Sequence, residues 1–262
     1  MTDFKPLAVV TGASSGIGRE LARQFATHGF DLIIAAEDSE LAAVAGELAG
    51  NGGEVLAVQA DLATDEGTEK LVHAVAAAAR PVDSLALNAG VGNGGAFVDI
   101  PLADEQRLIA LNISSTVALA KRLVPDMVRQ GAGRVLFTSS VASQMPGPYY
   151  ATYAASKAFI QSFAQALRYE LKDTGVSVTA LLPGPTDTGF FERAGMEGTP
   201  VDSASKDDPA EVAKDGFEAL MSGKSQVTGG SAKNKVQTVA AKVLPDQARA
   251  AVHAKMTKPE GE

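Results

Sequence analysis

Six short, nearly unbroken apolar runs, spaced by stretches long enough to hold a helix, constrain this chain more than any other feature. The runs are 7–11 (LAVVT), 31–36 (DLIIAA), 54–60 (EVLAVQA), 82–87 (VDSLAL), 134–139 (RVLFTS) and 176–182 (VSVTALL). A strand wetted on one face alternates apolar and polar residues, whereas a run without alternation suits a strand buried on both faces. Between the runs, 16–28, 39–50, 64–79, 103–130 and 151–173 have room for crossover helices. This order predicts a fold of the α/β class, a doubly wound parallel sheet with helices on both faces and right-handed crossovers. One domain over 1–230 accounts for it, and the length of 262 residues supplies a sizeable core without staples.

Composition removes several function classes. The absence of cysteine excludes disulfides, thiolate nucleophiles and cysteine-bound zinc. His28, His73 and His253 have no ligand spacing, so no metal is expected. A net charge of −8 and an isoelectric point near 5.0 argue against nucleic acid as a partner. No apolar run approaches the roughly 18 residues of a membrane span. The first strand, Leu7 to Val10, starts too early for a signal peptide before it, so the expected location is cytoplasmic.

Two regions break the strand–helix rhythm. Residues 184–208 carry glycines, prolines and the adjacent Phe190 and Phe191, and a loop of this length in a compact α/β domain reads as a substrate lid. It stops at Asp208, Pro209 and Glu211, which form an N-cap, a proline at the first helical position and a carboxylate three residues past the cap. The tail, 224–262, holds seven Lys/Arg against three Asp/Glu, a balance of +4 that leaves −12 for the rest. Within it Val236, Val239, Ala240, Val243 and Leu244 form one stripe of a helix, so 231–262 is read as a helical C-terminal extension. Packing on its own domain is the plain role; contact with an anionic membrane surface is the alternative.

The first run leads directly into Thr11-Gly12-Ala13-Ser14-Ser15-Gly16-Ile17-Gly18 and a helix. Glycines there permit a tight turn and close backbone approach to a diphosphate, which the free N–H groups of the helix start would bind. The spacing G-x-x-x-G-x-G matches neither G-x-G-x-x-G nor a P-loop. Glu37, just past the second run, is placed to accept hydrogen bonds from an adenosine ribose and to repel a 2′-phosphate. No Arg or Lys lies between 24 and 69, which favours NAD, with NADP as the alternative.

Tyr153 and Lys157 open a predicted helix one turn apart. A free phenol titrates near 10, too high for proton transfer at neutral pH, and a nearby ammonium lowers it. Ser139 and Ser140 close the fifth run, at the strand end where such sheets bind ligands. Asn112 falls inside a helix, unfavourable unless its side chain has a specific partner. With no G-x-S-x-G elbow, hydride and proton chemistry fit better than acyl transfer.

Taken together these residues resemble the short-chain dehydrogenase/reductase family. The match runs in order over 7–190: TGASSGIG at 11–18, Asp61-Leu62, Asn88-Ala89-Gly90, Asn112, Ser140, Tyr153 with Lys157, and Pro183-Gly184 followed by Thr188. The resemblance implies a Rossmann-like fold and hydride transfer between a nicotinamide and a carbonyl carbon. Tyr153 would then be the general acid/base, Lys157 would lower its pKa and hold the nicotinamide ribose, and Ser140 would bond the substrate oxygen. Asn112 would anchor a water linking Lys157 to solvent. Gly12, Ser14, Ser15, Gly16, Ile17 and Gly18 would border the diphosphate, and Glu37, Asp61, Leu62, Asn88, Ala89 and Gly90 the adenosine half. Pro183, Gly184 and Thr188 would meet the nicotinamide.

Departures from the family are also visible. Leu87 stands where a second asparagine is commonest, and no closing strand is recognisable after 225, with only a trace at Val227-Thr228-Gly229-Gly230. A homodimer is therefore expected, with the tetramer in question. Ser140, Met145, Tyr149, Tyr150, Phe190 and Phe191 are expected around the substrate, an apolar secondary alcohol or ketone. Two alternatives stay open: an NADPH-dependent ketone or 3-oxoacyl reductase, and a catalytically silent nicotinamide-binding sensor or scaffold.

Overall fold

The computed structural model describes residues 5–230 and 246–258. Seven parallel strands form one sheet in the order β3-β2-β1-β4-β5-β6-β7. They are β1 (Leu7–Thr11), β2 (Asp31–Ala36), β3 (Val55–Gln59), β4 (Ser84–Leu87), β5 (Gly133–Thr138), β6 (Val176–Pro183) and β7 (Gln226–Gly229). The chain leaves β3 at one edge and returns beside β1, so strand order reverses between β1 and β4. That reversal opens a crevice at the carboxyl ends of the strands.

The helices are α1 (Gly16–Thr27), α2 (Glu40–Ala49), α3 (Asp65–Ala77), α4 (Leu102–Ile109), α5 (Thr116–Gln130) and α6 (Ala151–Glu170). They continue as the short α7 (Phe190–Arg193) and α8 (Pro200–Ser203), then α9 (Pro209–Met221) and α10 (Asp246–Thr257). Absence of alternation in the strands is explained by two cores. Val9, Ile33, Leu85, Val135 and Phe137 pack under α3, α5 and α6 with Leu71, Leu123 and Ile160. Val10, Ile34, Ala86, Leu136 and Leu181 point the other way, against Leu21, Phe25, Leu41 and Phe217 of α1, α2 and α9.

Three expectations are corrected. A closing strand does form: β7 pairs with β6 from Ala180↔Gln226 to Pro183↔Gly229, a short edge too polar to be read as a strand in isolation. The expected helix 103–130 is α4 and α5 joined by a π-turn at Ala110–Ser115. This α4–α5 segment, Leu102–Gln130, is long and apolar enough to cross a membrane, but its apolar side carries Leu108, Leu119 and Met127 into the protein. Third, 184–208 is not a bare loop. A parallel bridge between Thr186 and Asp207 ties its base, and α7 and α8 fold within it. The Asp208 cap forms as expected, accepting from Ala210 N at 2.8 Å. The stripe from Val236 to Leu244 lies outside the described residues.

Candidate active site

The glycine turn is shaped by close approach. Gly12 (φ +68°) lies where a Cβ would come 2.9 Å from Ala89 Cα, and a Cβ on Gly18 would fall 2.0 Å from Gly12 O. The turn therefore folds onto itself and onto the loop after β4. Ser15 precedes α1 without capping it by its side chain, so the helix start is left for another acceptor. Thr188 faces this start, 2.8 Å from where a Gly16 Cβ would be. Ile17 lines the same cavity of about 520 Å³, together with Gly12, Ser14, Ser15, Gly16 and Gly18.

Carboxylates dominate one end of the cavity, where Glu37, Asp38, Asp61 and Leu62 line it. Ser14 Oγ donates to Asp38 Oδ2 at 2.7 Å, while Asp38 Oδ1 is buried with no partner among the described residues. Glu37 is half-exposed and paired with Arg107 Nη2 at 2.5 Å, and Arg107 Nη1 reaches Asp61 Oδ2 at 2.8 Å. The Arg107 hydrogen bond holds the Asp61 carboxyl below the usual range despite partial burial. The absence of a cation between 24 and 69 is thus offset in space by a guanidinium from α4. Nothing in the local sequence signals that pairing.

The middle of the cavity is braced by amides. Asn88 donates from Nδ2 to Thr11 O at 3.3 Å and accepts from Thr138 Oγ1 at 3.0 Å, tying β1, β4 and β5 together. Asn112 sits in the π-turn, 1 % exposed, and its partners explain its place in a helix. Its Oδ1 accepts from Val91 N and its Nδ2 donates to Val91 O, both at 2.9 Å, and to Ser156 Oγ at 3.0 Å. It clamps the segment after Asn88, Ala89 and Gly90, and a Cβ on Gly90 would sit 3.1 Å from both Asn112 Oδ1 and Lys157 Nζ.

Tyr153 and Lys157 occupy one face of α6, with Nζ 5.7 Å from the phenol ring centroid. Lys157 Nζ donates to Thr138 O at 3.0 Å, and Ser139 Oγ to Lys157 O at 2.8 Å, so the end of β5 fixes the lysine. Ser140 accepts from Ala142 N at 3.1 Å and is a hydrogen-bond partner of the Tyr153 phenol. The ammonium was expected to pull the phenol down, but the phenol is raised instead. Burial pushes Tyr153 up to about 12, against a lowering from Ser140, and pushes Lys157 down to about 8.

Beyond the phenol the cavity is largely apolar. Met145, Tyr150, Phe190 and Phe191 line it as expected, beside Pro183 and Gly184. Tyr150 stacks on Tyr153 with centroids 5.6 Å apart, and Phe190 tilts onto Tyr153 at 5.2 Å. Tyr149 is a correction: it takes a left-handed φ of 62°, stays outside the cavity and offers its carbonyl to Gly95 N. Reading by sequence missed Val201 and, from the distant α10, Arg249, His253 and Met256 as pocket residues. The signal in the tail was a stripe at 249, 253 and 257, one helical turn apart.

A doubly wound sheet with this cavity and a buried Ser–Tyr–Lys cluster defines an oxidoreductase acting on alcohol and carbonyl groups. The chain belongs to the short-chain dehydrogenases: the family model described as short chain dehydrogenase matches residues 6–197. It is 34% identical over 199 residues to oxidoreductase UcpA of Salmonella typhimurium, covering 76% of each chain. A short-chain dehydrogenase from Sphingobium yanoikuyae, solved in complex with NADPH, has a TM-score of 0.81 at 29% identity over 98% of both chains. A 3-ketoacyl-(acyl-carrier-protein) reductase from Brucella melitensis, complexed with NADH, has a TM-score of 0.75 at 25% identity, over 86% of this chain and 97% of that one.

Proposed function

We propose that this protein moves a hydride between NAD and an apolar secondary alcohol or ketone, with Tyr153 as general acid/base. The observation that carries the reading is a single cavity holding the Tyr153 phenol at one end and the open start of α1 at the other. The cofactor fits on features of this chain: the glycine cradle a Cβ would fill, the uncapped helix, and the orphaned Asp38 Oδ1, an acceptor suited to a ribose hydroxyl. Gly12 to Gly18 would hold the diphosphate, Asp38 and Glu37 the adenosine ribose, Asp61 and Leu62 the adenine, and Lys157 the second ribose. The bound nicotinamide supplies or accepts the hydride.

In reduction, Tyr153 gives its proton to the substrate oxygen as the carbonyl carbon gains the hydride, and Ser140 holds that oxygen. The buried phenol is fully protonated at neutral pH, which suits it as an acid. Oxidation runs the transfers in reverse and needs the phenolate, so its rate should climb with pH. Met145, Phe190, Phe191 and Met196 favour an apolar substrate body. We infer a homodimer as well, since α6 leaves Phe159 and Tyr169 exposed.

Preference for NAD rests on three carboxylates at the adenosine end. A second reading, an NADPH-dependent ketone or 3-oxoacyl reductase, is favoured by Arg107 and by the NADPH complex of the Sphingobium relative. Titration with NADH and NADPH, followed by nicotinamide fluorescence, separates them. Tighter NADH binding, by about tenfold or 1.4 kcal/mol, supports the first, and tighter NADPH binding supports the second. Tyr153→Phe should bind NADH normally and lose turnover by about 10³-fold. Equal turnover in that variant would sink the mechanism and leave a cofactor-binding protein without this chemistry.

A further inference from the structure

Helix α10 is docked in register on the loop before α6. Arg249 Nη1 donates to Gln144 O, His253 Nδ1 pairs with Pro146 O and Thr257 Oγ1 donates to Pro148 O, each at 2.8 Å. Every fourth residue of the helix therefore meets every second carbonyl of the loop. The match is geometric: four helical residues rise about 6 Å, and two extended residues advance about 6.6 Å. Prolines at 146 and 148 have no N–H to divert the loop into other pairing.

The middle rung of this ladder enters the active site. His253 is 7 % exposed, lines the cavity, and meets the Tyr150 hydroxyl through Nε2 at 2.5 Å. A carbonyl only accepts, so Pro146 O requires the His253 proton on Nδ1, and a neutral ring then presents a bare Nε2. Burial favours the neutral ring. The Tyr150 hydroxyl must accordingly donate to His253, and its proton is turned into the helix.

Resting on the dehydrogenase reading above, we propose that His253 is a specificity-determining residue: its neutral Nε2 accepts the hydrogen bond from the Tyr150 hydroxyl, leaving the Tyr150 oxygen as a hydrogen-bond acceptor for a second hydroxyl on the substrate. The two stacked phenols then have opposite roles. Tyr153 alone carries a free proton to the reacting oxygen, while Tyr150 presents lone pairs in an otherwise apolar wall of Phe190, Phe191 and Met256. Such a wall favours an apolar body bearing one hydroxyl beside the reacting group. An acceptor left unmatched in a buried site penalises the analogue that lacks the donor.

Two measurements on the full chain test this. The first is ¹⁵N NMR of the ring nitrogens, with only three histidines to resolve and His253 identified by its loss in His253→Gln. A neutral ring protonated at Nδ1 near pH 7.5 supports the proposal; an Nε2-protonated ring or an imidazolium overturns it. The second compares NAD-linked oxidation of cyclohexanol with that of the 1,2-, 1,3- and 1,4-cyclohexanediols, which step the second hydroxyl around one body. At least one diol should exceed cyclohexanol in kcat/KM by about tenfold, the cost of leaving the acceptor unmatched. That ratio should collapse in Tyr150→Phe, shrink in His253→Leu, whose freed phenol can donate as well as accept, and persist in His253→Gln, whose amide can still accept from Tyr150. No diol advantage, or an advantage that survives Tyr150→Phe, overturns the proposal. Failure of all four alcohols with both NAD and NADP would count against the dehydrogenase reading, and the NMR result then decides the His253 assignment by itself.

Discussion

Replacing Lys157 by Met should make the protein more stable while ending catalysis. The lysine is 6 % exposed, and burial brings its pKa from the ordinary 10.5 to about 8. At 1.36 kcal/mol per pH unit that drop corresponds to about 3 kcal/mol of penalty for holding the ammonium there at neutral pH. Methionine keeps the unbranched stem and loses the hydrogen bond to Thr138 O, which offsets about 1 kcal/mol. The net gain at pH 7 is about 2 kcal/mol, or about 4–8 °C in Tm. The linkage sign gives a second signature. Below about pH 8 the lysine is charged in both states and the penalty is complete; it is relieved as pH rises towards 10.5. Between about pH 7.5 and 9.5 the wild type should therefore gain about 2 kcal/mol relative to the variant. Urea denaturation of both proteins at the two pH values measures it. A variant less stable than wild type at pH 7, or with the same pH slope, would show that the ammonium is not strained by its burial.

Gly18→Ala places a Cβ 2.0 Å from Gly12 O, so the turn must open. A loss of about 3 kcal/mol is expected by thermal denaturation, together with loss of NADH binding by fluorescence titration. Asp31→Asn tests the start of β2. Burial works against the Asp31 carboxylate, but the Arg80 guanidinium at 2.7 Å and Glu54 N at 2.8 Å hold its pKa below the ordinary value. The variant should lose about 1.5–3 kcal/mol at pH 7 in urea unfolding. Since a depressed carboxylate stabilises above its unfolded pKa, that deficit should fade as the pH falls below about 4.

Strand runs, the glycine turn and the Tyr153–Lys157 spacing were legible in the sequence because each is local. A strand buried on both faces has to be continuously apolar, a tight βα turn has to use glycine, and two side chains four apart on a helix have to share a face. Asn88, Asn112 and Ser140 could be placed through resemblance, but their partners could not. The π-turn that presents Asn112 to Val91 and Ser156 exists only once α4, α6 and the β4 loop are packed together.

What the sequence determined by itself was the class of fold and the chemistry of the cluster at the strand ends. Tertiary structure alone decided three things. Burial sets the proton affinities of Tyr153 and Lys157, raising the phenol where spacing suggested a lowering. Arg107, 46 residues from Asp61 and 70 from Glu37, reaches the carboxylate end of the cavity from α4. His253, 103 residues from Tyr150, joins the cavity wall from the last described helix. Each is a contact between elements far apart along the chain, where periodicity carries no signal and only the closing of the fold brings charge, proton and lone pair within reach.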